Sequence, residues 1–234
     1  MKLSILSILL LGLFSISLPQ EDYVKDIDEN KYPVFEHNGY LIMAENLRTT
    51  RFRDGTKIKK TAGYEKWKQG LQTQKPMYCF FQNMKEFTDE GGYLYSPAAV
   101  RSDLELAPEG WHIPTYGEWQ EIFFKGDQTE VHNVYSLTYE ILRNDRKRAK
   151  KNKSELHISR KFAALGSGYR KNNGTFSPSK YFSATHLATA DGKGCFELDL
   201  MGRGTRGTGS MGSHLRRSLP SPDAGIAVRC VRKL

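Results

Sequence analysis

The sequence predicts an α+β fold, a single domain of short antiparallel sheets, two helices and long loops. Three observations carry that prediction. Residues 110–119, Gly-Trp-His-Ile-Pro-Thr-Tyr-Gly-Glu-Trp, encode a strand end, a turn and a helix start in one run. Asn38-Gly39 and Asn173-Gly174 are hairpin dipeptides, because both residue types tolerate the positive φ angles of a tight turn. Residues 195–200 alternate Phe196, Leu198 and Leu200 with Glu197 and Asp199, the period of a strand with one buried face. With 234 residues, 38% of them hydrophobic, the chain can bury one sizeable core, and a mean hydropathy of -0.57 excludes a polytopic membrane protein.

The elements follow in chain order. Residues 1–17 read as a signal peptide: Met1-Lys2 supplies a charged start, and residues 3–18 an apolar run too short to span a bilayer comfortably. Ser15 and Ser17 are the small residues ahead of a cleavage site. No cysteine precedes Cys79, so no lipid anchor is expected, and the mature chain is expected in the periplasm, outside the cell or at its surface. Residues 18–32 are acidic and aperiodic and predict a flexible leader to a domain over residues 33–234. A hairpin about Asn38-Gly39 opens that domain. Residues 56–75 carry many lysines and isolated aromatics at Tyr64 and Trp67 with no sustained stripe, which predicts a loop or a single irregular turn. Residues 77–81 predict a buried strand, and residues 91–100 a further piece of core.

At the central motif, Thr115 and Glu118 stand in capping-box register, with Pro114 and Trp119 at the two staple positions. Trp119, Ile122 and Phe123 then share one helical face, and Gly126 can end the helix. His112, beside Trp111, reads as a structural histidine bonded to backbone, since no second histidine stands nearby at metal-ligand spacing. Val134, Leu137, Thr138, Ile141 and Leu142 predict the second helix. Strands are expected at residues 181–185, 195–200 and 225–232, with a glycine-rich excursion over residues 201–225.

The central run and the terminal Gly225-Ile226-Ala227-Val228-Arg229-Cys230-Val231-Arg232 resemble the Fibrobacter succinogenes major paralogous domain, a bacterial family. Further matches in family order are Met43-Ala44-Glu45-Asn46-Leu47-Arg48-Thr49-Thr50, Asp54-Gly55-Thr56, Tyr78-Cys79-Phe80-Phe81-Gln82-Asn83, Gly168-Tyr169-Arg170 and Asn173-Gly174-Thr175-Phe176. The resemblance implies a C-type-lectin-like fold, akin in architecture to the formylglycine-generating enzymes. In such a fold the glycine-rich excursion would face a ligand, with Arg203, Arg206, His214, Arg216 and Arg217 as its charges.

A basic arm departs from the family pattern. Residues 143–153 hold seven cations against Asp145, a local net of +6 within a whole-chain formal charge of +9. Arg146, Lys147, Arg148, Lys150 and Lys151 are its candidate binding residues, with a solvated helix end as the competing reading. An acidic envelope protein or polysaccharide is the expected partner. Nucleic acid is disfavoured, because export separates the two and no aromatic residue is interleaved in the arm for base stacking.

No enzyme is expected, and no metal or cofactor. The six histidines form no ligand pattern, the calcium motifs of sugar-binding lectins are missing, and Pro222-Asp223 reads as a turn. No Gly-x-Ser-x-Gly elbow frames a nucleophile, and Gly202-x-Gly204-x-x-Gly207 lacks a strand–turn–helix context. Export permits disulfides, and three cysteines leave at least one thiol over. Cys195 and Cys230 are the candidate pair on expected neighbouring strands, Cys79 a buried thiol, and three free thiols the alternative. The same pair is the whole basis for the alternative activity, a copper-dependent oxidoreductase related to the formylglycine-generating enzymes. The reading of the whole is an exported, non-enzymatic binding or assembly module of the bacterial envelope.

Overall fold

The computed structural model describes residues 23–124, 168–177, 184–190, 195–199, 214–218 and 223–234. The first elements are β1 (Tyr23–Lys25), β2 (Lys31–His37), β3 (Tyr40–Met43), β4 (Lys59–Lys60), α1 (Tyr64–Gln72) and β5 (Met77–Cys79). Next come α2 (Thr88–Gly91), β6 (Leu94–Tyr95), α3 (Pro97–Val100) and α4 (Tyr116–Phe124). Seven strands follow: β7 (Tyr169–Arg170), β8 (Phe176–Ser177), β9 (Ala184–Ala188), β10 (Cys195–Asp199), β11 (His214–Ser218), β12 (Ile226–Ala227) and β13 (Val231–Lys233). The fold class is α+β.

Three sheets organise these strands. One has the order β1-β2-β3-β13, the second β11-β10-β9-β12-β6-β5-β4, and the third is the β7-β8 hairpin. Pairing is antiparallel except where β12 meets β9 and where β4 meets β5. The C-terminal segment joins the two larger sheets, because β12 lies in one and β13 in the other with three residues between them. Strand alternation there divides two cores. Ile226, Val228 and Cys230 pack with Tyr32, Met43, Leu47, Tyr95 and Trp111, while Ala227 and Val231 pack with Ile42, Trp67, Leu94, Trp119 and Ile122. A segment buried on both faces reads as an unbroken apolar run.

Local chemistry sets the turns where the sequence places them. Asn38 and Gly39 take φ of 48° and 81° and join β2 to β3. Asp54 and Asn173 each accept from the amide and hydroxyl of the threonine two residues on, closing matched turns at Asp54-Gly55-Thr56 and Asn173-Gly174-Thr175. The strand expected at residues 77–81 is β5, buried along its length, and Tyr95 and Ala99 of the 91–100 segment are core. The strand expected at residues 225–232 is interrupted, forming β12 and β13 in different sheets.

Four expectations are corrected. Strand structure is present at Tyr23–Lys25, inside the expected leader of residues 18–32. The cause is Asp26, whose carboxylate accepts from the amides of Asp28 and Asn30, the Asn30 side chain and the Tyr32 hydroxyl, closing a turn above buried Tyr32. Residues 56–75, expected as a loop, contain α1; its apolar face is little more than Trp67 and Leu71, too narrow to show as a periodic stripe. The excursion of residues 201–225 contains β11, which pairs with β10 in the register Glu197↔Arg216. Finally, Cys195 and Cys230 do not lie on neighbouring strands. β10 pairs with β9 and β11, whereas Cys230 sits between β12 and β13 as a buried free thiol. The predicted second helix at residues 134–142, the Gly126 helix end and the signal peptide lie outside the described residues.

Candidate functional site

The central motif folds as its spacing requires. The Glu118 amide donates to Thr115 Oγ1 at 3.1 Å, and Glu118 Oε2 accepts from the Thr115 amide at 2.9 Å. Trp119 and Ile122 are wholly buried, while Asn38 Nδ2 donates to the Ile122 carbonyl at 2.7 Å and Tyr40 Oη to Glu121 Oε2 at 2.8 Å. These bonds seat α4 on the β2–β3 hairpin. His112 departs from expectation: its ring Nε2 lies 2.7 Å from Glu118 Oε1, so the imidazole bonds a carboxylate, while its main chain bonds the backbone of Val231. An ionised carboxylate only accepts, so Nε2 carries the proton. Trp111 and Pro114 are buried, and the motif is a structural joint between α4 and the C-terminal strand.

Two arginines of the family-like motifs are consumed internally. Arg170 donates from Nε to the Gly174 carbonyl at 3.0 Å, from Nη1 to Thr61 and from Nη2 to Ala62, both at 2.6 Å. Its guanidinium lies 4.5 Å from the Trp67 ring and 5.0 Å from Phe176. This buried cation ties the β7–β8 hairpin to the residues that lead into α1. Arg229, equally buried, donates from Nε to Asn46 Oδ1 at 2.9 Å; burial lowers its pKa to about 9, opposed by the nearby Glu45 carboxylate. Three further arginines carry acids: Arg48 pairs with Glu45 at 2.8 Å, Arg51 with Asp28 at 3.3 Å, and Arg53 with Glu105.

The lysines of residues 57–75 are arranged differently. Six of them, Lys57, Lys59, Lys60, Lys66, Lys68 and Lys75, face a single acid, Glu65, for a net of +5. All six are exposed, and only Lys68 forms an ion pair with a described residue, at 3.9 Å to Glu65. Lys59 and Lys60 constitute β4, the edge strand of the seven-stranded sheet, and pair in parallel with Met77 and Tyr78. Lys75 lies two residues before Met77, and Lys60 Nζ stands 3.7 Å above the Phe80 ring. These lysines stand on a segment expected as a loop or a single irregular turn. The overlooked signal is the helical spacing of Tyr64 and Lys68, which puts the ring and the cation on adjacent turns of one face.

The other sequence-derived site residues are spread or lie beyond view. His214, Arg216 and Arg217 belong to β11, at the opposite edge of the same sheet from β4. Arg203, Arg206 and the arm residues Arg146, Lys147, Arg148, Lys150 and Lys151 lie outside the described residues. Among the described residues no helix is long and apolar enough to cross a membrane.

The family model for the Fibrobacter succinogenes major domain matches residues 38–232. No match was found among curated proteins or among solved structures. The match runs from the Asn38-Gly39 turn through the capped helix and the buried Arg170 and Arg229 to the strand that closes the first sheet, and the protein belongs to the Fibrobacter succinogenes major domain family.

Proposed function

We propose that the protein is an exported, non-enzymatic binding or assembly module of the bacterial envelope that takes an acidic protein or glycan as its partner. The distribution of cations carries this reading. Arg170 and Arg229 hold the interior and Arg48, Arg51 and Arg53 carry acids, while Lys57, Lys59, Lys60, Lys66 and Lys75 are exposed and form no ion pair with a described residue. Exposed charge of one sign steers association with an oppositely charged surface. The arm and the arginines of residues 201–217 add charge of the same sign. A C-type-lectin-like fold is part of the proposal, supported by the first and last described strands lying in one sheet. The copper-dependent alternative needs Cys195 beside Cys230, and no observation favours it.

The test is capture of envelope components by the mature protein across a salt series. Three variants accompany wild type: the arm (Arg146, Lys147, Arg148, Lys150 and Lys151 to Gln), the excursion (Arg203, Arg206, Arg216 and Arg217 to Gln) and the lysine edge (Lys57, Lys59, Lys60, Lys66 and Lys75 to Gln). Capture should fall steeply as salt shortens the screening length to about 8 Å at physiological ionic strength. Capture indifferent to salt and to all three variants would overturn the proposal.

A further inference from the structure

Tyr64 opens α1 at the middle of the lysine-rich segment and is 55% exposed. Its backbone is held in place: a Cβ added to Gly174 would stand 2.8 Å from the Tyr64 Cα, so the β7–β8 turn packs directly on it, at a residue whose φ of +85° suits glycine. The Arg170 guanidinium lies 6.0 Å from the Tyr64 ring on the inner side. The result is an exposed aromatic side chain on a positioned backbone. Lys68 stands one helical turn after Tyr64, and Lys60 stands four residues before Tyr64 at the end of the edge strand.

An anchored ring among exposed ammonium groups matches one ligand chemistry well. A pyranose presents an apolar face of C–H bonds that stacks on an aromatic ring, and a uronate adds a carboxylate at its rim. Lysine is a point charge on a flexible stem without the fork of arginine, so it suits carboxylates spaced along a chain better than bidentate recognition of one phosphate. Lys60 on the sheet edge and Lys68 on the helix lie four residues to either side of Tyr64, so a polymer with one sugar on the ring can meet cations with its neighbouring carboxylates.

We propose that the β4–α1 edge binds a polyuronate, with Tyr64 stacking on a sugar ring and Lys60 and Lys68 pairing with carboxylates. This rests on the binding-module reading above and names its ligand class and surface.

The experiment titrates the mature full chain with polygalacturonate, and in parallel with polyglutamate and duplex DNA, at low and physiological salt. Exposed ion pairs contribute modestly, so changing Lys60 and Lys68 to Gln should weaken polygalacturonate binding about threefold. Tyr64→Ala should weaken polygalacturonate and leave polyglutamate unchanged, while Tyr64→Phe should keep the sugar affinity. Melting curves confirm that each variant is folded. Loss of binding only in the arm variant would overturn this site and leave the module reading standing. Tighter binding of polyglutamate or DNA, or a Tyr64→Ala variant that behaves as wild type, would overturn the glycan assignment. Failure to bind polygalacturonate at low salt would overturn the inference outright, and envelope capture would then judge the module reading separately.

Discussion

Glu118 meets three donors, and its charge state is set by their sum. Burial opposes its ionisation, but the Thr115 amide, the His112 ring and the Thr115 hydroxyl outweigh that cost and hold its pKa below the ordinary value of 4.5. The sign follows from linkage: a depressed carboxylate pKa contributes stability that is complete above the unfolded value and is lost as pH falls through the folded one. Glu118→Gln keeps an acceptor for the Thr115 amide but carries no charge. The gap in melting temperature between wild type and Glu118→Gln should therefore close as pH falls below about 4.5. A gap that persists unchanged to low pH would show that ionisation of Glu118 contributes nothing to the fold. The box itself was legible from Thr115 and Glu118, because its partners are three residues apart. The imidazole partner was not, since His112 and Glu118 meet only after the turn at Pro114 is made.

At the scale of elements, α1 shows how a segment with weak periodicity is made helical by what packs on it. Trp67 fills its buried side, Arg170 binds the carbonyls of Thr61 and Ala62 that precede it, and Gly225 passes close to the indole. A Cβ on Gly225 would stand 2.5 and 2.8 Å from Trp67 ring carbons and 3.3 Å from Arg170 Cβ. The Gly225 and Arg170 backbones also exchange two hydrogen bonds of 2.8 Å, so neither side can withdraw freely. Gly225→Ala should destabilise the fold by about 2 kcal/mol, in the range of overpacked cores. Gly117→Ala is the contrasting case. It lies exposed in α4 with only Thr115 Oγ1 at 3.9 Å, and alanine there should add about 0.5–1 kcal/mol through helix propensity. Urea unfolding of the two variants checks both, and equal stabilities would refute the close-approach argument.

For the whole molecule, the joining of two sheets by the C-terminal segment decides the state of the thiols. Cys79 is buried, with burial pushing its pKa to about 11 against the opposing influence of Arg170. Cys230 is wholly enclosed between β12 and β13, and burial pushes its thiol higher still. A thiol labels as the thiolate and only when reached, so both should resist reagent in the native protein. Native labelling should modify one thiol at most, and unfolding without reductant should expose all three. A peptide linking Cys195 to Cys230 in the non-reduced digest would contradict the strand order described here.

What the sequence determined by itself is whatever depends on neighbours along the chain. The Asn38-Gly39 and Asn173-Gly174 turns, the Thr115–Glu118 box, the β5 core strand and the family motifs all rest on contacts within a few residues, where residue type and spacing settle the geometry. Only tertiary structure decided the rest. It turned Arg170 and Arg229 inward, because carbonyls and an amide far along the chain converge on them. It ordered residues 23–32 through Asp26 and Tyr32, and it made α1 a helix through Trp67. It also separated Cys195 from Cys230, since two strands close in sequence number can belong to different neighbourhoods once β12 and β13 part into different sheets. Sequence spacing records local preference, whereas long-range pairing depends on which distant groups the packed sheets bring together.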